Sequence, residues 1–199
     1  MKRSKALQTA LFACGLAFTA AASAGGGASE SMLGNTCAGC HGTDGISSGP
    51  APTIAGLSPD YFTSVMQGYR SGDNGSTIMG RIAKGYTDAD LDALASFFSK
   101  KKFAAAPQKF DAGLAKKGAK YHDKYCEKCH SEGGSLAEDD GGILAGQWMP
   151  YLDWTLQDVR NGVRQTDKKM VKKLKKLIGK EGNPADVRAA LVNYYASQK

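Results

Sequence analysis

Cys37-Ala38-Gly39-Cys40-His41 recurs about ninety residues later as Cys126-Glu127-Lys128-Cys129-His130. Cys-x-x-Cys-His is the attachment signature of c-type haem. Two cysteines three apart add across the two vinyl groups of one porphyrin. The next histidine binds the iron from the same side, so the chain is tethered before it folds round the cofactor. A redox dithiol and a zinc site also use Cys-x-x-Cys. A dithiol needs no following histidine, and a four-cysteine zinc site leaves two histidines in identical places unexplained. The motifs therefore point to two covalently bound haem c groups. Cys37 and Cys40 hold one, with His41 on the iron, and Cys126 and Cys129 hold the other, with His130.

Residues 1–24 read as a secretory signal peptide. Lys2, Arg3 and Lys5 precede an apolar run that ends at Ala22-Ser23-Ala24, a small-residue cleavage site. The run is short for a membrane anchor. Cleavage after Ala24 removes Cys14 and leaves four cysteines, all used by two haems. It also removes three of the 26 Lys and Arg residues, leaving 23 against 19 acidic ones, a net charge of +4 in place of +7. No nucleic-acid-binding motif gives these lysines that meaning. No later stretch reaches membrane-spanning length, so the expected place is the periplasm.

The remainder is an internal repeat. Ile54-Ala55-Gly56 matches Leu144-Ala145-Gly146, Tyr61 matches Tyr151, Arg70 matches Arg160 and Gly72 matches Gly162. Residues 25–103 form the first expected domain, 104–110 a proline-containing linker and 111–199 the second. Each half is too small for a large apolar core, and a buried haem supplies the missing apolar surface. Helices are expected at Glu30–Thr36, Pro59–Tyr69, Leu114–Tyr125 and Met149–Arg160. Each half closes with another. The first opens at Thr87-Asp88-Ala89-Asp90, a box-like cap, and the second at Asn183-Pro184. No segment reads as a strand, so the predicted fold is all-α.

A second axial ligand decides how each iron behaves, and methionine sulfur raises its potential relative to a second histidine. Met79 follows His41 by 38 residues and Met170 follows His130 by 40, both between the middle and last helices of their halves. Met32 and Met66 sit on apolar helical faces and read as core, and Met149 follows its motif too closely. Met79 and Met170 are thus the expected sixth ligands. His122, on the helix leading into its motif, is placed for packing or the surface. The carbonyl of Pro52 or Pro50 is the candidate support for His41, with Gly142 at the matching place in the second half. Seven lysines from Lys168 to Lys180 cover one face of a helix whose other face carries Met170, Val171, Leu174, Leu177 and Ile178. They are either a solvated face or a rim that steers an acidic partner.

Longer stretches carry a family resemblance. Ser76-Thr77-Ile78-Met79-Gly80-Arg81-Ile82-Ala83-Lys84-Gly85-Tyr86, His122-Asp123-Lys124-Tyr125 before the second motif, Ile143-Leu144-Ala145-Gly146-Gln147-Trp148 and Tyr195-Ala196-Ser197-Gln198 make the chain resemble the dihaem cytochrome subunit of flavocytochrome c sulfide dehydrogenase. The resemblance implies two tandem class I cytochrome c domains and a heterodimer with an FAD-containing subunit. That flavoprotein would oxidise sulfide, and this chain would pass the electrons singly to a downstream acceptor. The FAD stays in the partner. No general base, nucleophile or substrate pocket is evident here, so the chain is not expected to be an enzyme on its own. Where the family pattern has a methionine just before Lys168-Lys169-Met170, this chain has Thr166, which leaves Met170 for the second iron. Two other readings remain: a free-standing dihaem carrier serving a terminal oxidase or reductase, and an enzyme with an open sixth position.

Overall fold

The computed structural model describes residues 28–137 and 141–198. The expected signal peptide and Cys14 lie outside the described residues. The described residues are helical, and their one β-bridge is isolated.

Each helix begins where side-chain chemistry supplies a cap. Helices α1 (Glu30–Thr36) and α2 (Ala38–His41) flank the first attachment turn, and Ser29 caps α1. Ser58 caps α3 (Pro59–Ser71), with proline at the first turn and Gly72 in the left-handed conformation at its end. Met79 opens the one-turn α4 (Met79–Ile82). A reciprocal Thr87/Asp90 box starts α5 (Asp88–Ser99). Asp111 caps α6 (Ala112–Tyr125), two residues earlier than the sequence suggested. In α7 (Met149–Asn161) the N-cap residue Trp148 makes no side-chain cap. The linker's Gln108 replaces it, its Oε1 accepting from the Met149 N–H at 2.9 Å. Asp167 and Asn183 cap α8 (Lys168–Glu181) and α9 (Pro184–Ser197). No described helix is long and apolar enough to cross a membrane.

Each half packs its first helix against its last. At α1 on α5, a Cβ added to Gly34 would stand 2.3 Å from Phe97 Cδ1. At α6 on α9, one added to Gly118 would stand 2.1 Å from the Ala190 carbonyl oxygen. Glycine at each crossing lets the helices approach as closely as backbone permits. Leu57, Phe62, Met66, Leu91, Leu94, Phe97 and Phe98 fill the first core; Tyr121, Tyr125, Leu152, Leu177, Val187 and Leu191 fill the second. Met32 is not core: it is 65% exposed. Helix α1 turns Leu33 and Gly34 inward, and Met32 falls on the opposite face.

The halves dock about a local pseudo-twofold. Asn74 and Arg164 occupy equivalent places in the repeat and pair with each other in an antiparallel bridge, an arrangement that like surfaces adopt when related by a twofold. Beside it the Gly75 N–H donates to Val163 O at 3.0 Å, and Arg164 Nη1 donates to Tyr69 Oη at 3.2 Å. Ile143 of the second half belongs to the first core.

Candidate haem sites

At both motifs the backbone forms one helical turn that places the two sulfurs and the histidine together. Cys40 N and His41 N donate to Cys37 O at 3.3 and 3.0 Å, and Cys129 N and His130 N donate to Cys126 O at 3.0 Å each. In each pair the first cysteine is half-buried and the second exposed, both histidines are buried, and all four sulfurs are free of disulfides. The loops that follow match as well. Gly45 O accepts from Ile54 N and Ala55 N, as Gly134 O does from Leu144 N and Ala145 N. Gly56 N donates to Phe98 O and Gly146 N to Tyr195 O, which ties each loop to the last helix of its half.

Burial raises the Cys37 thiol and pushes Cys126 up to about 11. A redox dithiol depends on the opposite shift, toward thiolate. Among the described residues no three His, Cys, Asp or Glu side chains gather as a metal cluster, so the two Cys pairs do not form the shared zinc site considered above.

His41 has its Nδ1 2.7 Å from the Pro52 carbonyl. A carbonyl only accepts, so the proton sits on Nδ1 and the Nε2 lone pair is left for a metal. Burial also holds this imidazole below its usual pKa against the bond to Pro52, which keeps it neutral. Of the two prolines expected as support, Pro52 fills the role. In the second half, Gly141 backs on to the histidine: a Cβ there would lie 2.1 Å from His130 Cε1. Two thiols three residues apart and a neutral imidazole with its far nitrogen engaged are the donor set that a covalent haem c requires.

Met79 is half-buried against the first core, and Met170 is half-buried in the first turn of α8. Leu174 and Leu177 on the same face are buried, and the seven lysines of α8 are exposed. His122 has a packing role, as expected. It is fully buried, with Nδ1 3.1 Å from Tyr195 Oη, and its Nε2 meets the Glu127 carboxylate. Glu127 also accepts from the Glu132 N–H at 3.0 Å, so it ties α6 to the loop that follows the attachment turn.

Several side chains lie between the halves. Gln147, 2% exposed, accepts from Thr53 N on Oε1 and donates from Nε2 to Thr53 O, both at 2.9 Å. Trp148 Nε1 donates to Ser47 O at 3.2 Å. Gly142 packs on Tyr61: a Cβ there would sit 2.6 Å from Tyr61 Cε1. Trp154, by contrast, is 54% exposed.

A paired helical fold with one Cys-x-x-Cys-His turn in each half is that of tandem class I cytochrome c domains. The family profile described as Cytochrome c matches residues 28–101. The chain is 33% identical to cytochrome c4 of Azotobacter vinelandii, over 82% of this chain and 86% of that one. It is 32% identical to a thiosulfate dehydrogenase electron acceptor of Stutzerimonas stutzeri, over 71% and 70%. With the cytochrome subunit of sulfide dehydrogenase of Chlorobaculum tepidum it shares 46% identity over 67 residues, which span 34% of this chain and 61% of that one. The crystal structure of reduced cytochrome c4 from Pseudomonas stutzeri superposes with a TM-score of 0.70 at 26% identity, covering 87% of this chain and all of that one. The chain belongs to the cytochrome c family. It is a dihaem electron carrier with covalently bound haem c.

Proposed function

We propose that this chain is the electron-accepting subunit of a periplasmic sulfide-oxidising flavoprotein, exported by a signal peptide at residues 1–24. Residues 25–103 and 111–199 each form one haem domain, joined by the linker 104–110. Cys37 and Cys40 would hold the first haem, with His41 and Met79 as ligands to its iron. Cys126 and Cys129 would hold the second, with His130 and Met170. Haem c supplies a one-electron iron couple when bound. The chain's residues fix that couple: the thioethers set its place, the Pro52 carbonyl orients His41 and a methionine sulfur raises the potential. Two attachment sites in one chain match a flavin, which holds two electrons, to acceptors that take one.

The single observation that carries the sulfide assignment is the 46% identity over 67 residues to the sulfide dehydrogenase cytochrome subunit. The longer matches to cytochrome c4 and to the thiosulfate dehydrogenase electron acceptor favour a second reading, a carrier that works without a flavoprotein. Purification from the native host with complexes intact, followed by anaerobic sulfide, separates the two. Prompt reduction of the haem α-band with flavin co-purifying is the expected result. A flavin-free cytochrome that sulfide reduces only sluggishly overturns the assignment in favour of the second reading.

A further inference from the structure

Pro52 C=O and Thr53 N–H belong to one peptide group. The carbonyl accepts from His41 Nδ1 at 2.7 Å, and the N–H donates to Gln147 Oε1 at 2.9 Å. A hydrogen bond at one end of a peptide polarises it and strengthens the bond at the other, by roughly 10–30% per bond. Gln147 is 2% exposed and Thr53 1%, so bulk water has little access to replace the acceptor. The Gln147 side chain is itself held, Nε2 donating to Thr53 O at 2.9 Å, and its main chain is held by Gln108 Nε2, which donates to the Gln147 backbone carbonyl at 2.7 Å.

We propose that Gln147, from the second half, is a positioning residue for the first haem, acting through the Pro52–Thr53 peptide on His41. The inference rests on His41 being that haem's ligand. A stronger acceptor at Nδ1 makes the imidazole a better donor to iron and favours the ferric state. The repeat does not place the same pair of residues at the second site. Its matching residues are Ile143 for Thr53 and Leu57 for Gln147, both members of the apolar first core, and leucine offers no acceptor. The relay therefore lowers the first potential selectively, and only while the two halves are docked.

The test is a spectroelectrochemical titration of the holoprotein, with the haems told apart by NMR. Gln147→Met removes the acceptor at similar size, and Gln147→Glu keeps one. Trp148→Phe removes the neighbouring bond to Ser47 without touching the peptide. In Gln147→Met the ferric-to-ferrous ratio of the first haem at fixed poise should fall about threefold. That is about 30 mV upward, at about 59 mV per tenfold for one electron. The second haem should not move. Gln147→Glu should return the first potential to the wild-type value or below it, and Trp148→Phe should leave both potentials in place. An unmoved first haem in Gln147→Met, an equal shift of both haems, or the same shift in Trp148→Phe overturns the relay. Hydrogen exchange on the reduced wild type needs no variant. Thr53 N–H and His41 Nδ1–H should both be protected, and rapid exchange at Thr53 also overturns it. Mass analysis of the Cys37–His41 peptide separates the two claims: a haem-free peptide ends the ligation reading, whereas a haem-bearing protein with an unmoved potential ends the relay alone.

Discussion

Gly118→Ala sets two known effects against each other at one atom. Alanine favours a helix interior over glycine by ~1 kcal/mol. The added Cβ at Gly118, however, would lie 2.1 Å from Ala190 O, 2.6 Å from Ala190 C and 2.7 Å from Tyr194 Cβ. Carbon and carbonyl oxygen approach no closer than about 3.3 Å even in favourable contacts, so α6 must retreat from α9 by roughly 1.2 Å. The obstacle is backbone, which no rotamer change relieves. A gap of that order forfeits up to about half the dispersion well of each contact behind it, and the contacts behind it are those of Tyr121, Tyr125, Val187 and Leu191. Overpacking a fitted site costs about 1–3 kcal/mol. At the upper end, less the gain in propensity, the net loss is ~2 kcal/mol. Both tryptophans, Trp148 and Trp154, lie in the second half, so fluorescence released from haem quenching follows its unfolding in guanidinium chloride. With a slope of about 4 kcal/mol per molar, the midpoint should fall by about 0.5 M. Gly179→Ala is the matched control. It lies in α8 with nothing within 4 Å of the new Cβ, and its midpoint should rise by about 0.2 M. A Gly118→Ala midpoint at or above wild type would refute the close-approach argument and leave propensity in command.

Met79→Ala and Met170→Ala should each remove the weak far-red iron–sulfur band of one haem; a band unchanged in both sinks the methionine assignment. Glu127 is held below its ordinary value near 4.5, chiefly by its bond to His122, which outweighs the opposing effect of burial, with the Gly133 and Glu132 amides adding to the lowering. A carboxyl depressed in the folded state adds stability above its unfolded pKa and loses it as pH falls through the folded one. Glu127→Gln should therefore weaken the second half at neutral pH and flatten its acid decline below about pH 4.5, an effect kept modest by solvent screening; acid titrations of tryptophan fluorescence check this, and parallel declines contradict it. Reversing Lys172, Lys173 and Lys176 to glutamate should slow reduction by an acidic partner and remove the fall of its rate with salt, measured by stopped flow. A wild-type rate that ignores salt leaves the lysines as a solvated face.

Readable from the chain alone were the features built within a few residues of one another. The Thr87/Asp90 box, the helix start at Pro59 and the Asn183-Pro184 start are set by short-range chemistry, and each stands where the sequence put it. So are the attachment turns. Pro52 was readable because a proline loop a fixed distance after the motif is stiff whatever surrounds it. Contacts made across long stretches of chain were not. Gln108 caps α7 across 41 residues of chain, and Gln147 finds Thr53 across 94. Neither follows from local pattern: the first depends on how the linker returns across α7, the second on the angle at which two helical domains meet. One signal was present for Gln147: the repeat puts Leu57 at its counterpart, and polarity that breaks a repeat at a buried place calls for a partner. Met32 misled because seven residues of helix give too few turns to fix which face is inward.

Two copies of one domain docked about an exact twofold would hold two equivalent haems, and equivalent sites give a relay no direction. At their seam the halves meet in that way, since Asn74 pairs with its own counterpart Arg164. Direction has to come from places where the repeat departs from itself, and the departures fall beside the attachment motifs. In the second motif Glu127 stands where the first has Ala38, and it is anchored by His122 where the first half has Leu33. In the first, the peptide behind His41 is bound by Gln147, and the repeat puts Leu57 at the equivalent of Gln147. Both changes put a polar group against one haem site and an apolar one against its twin. A common scaffold thus fixes the spacing of the two sites, while a few polar substitutions, two of them drawn from beyond the motif, make the sites unequal.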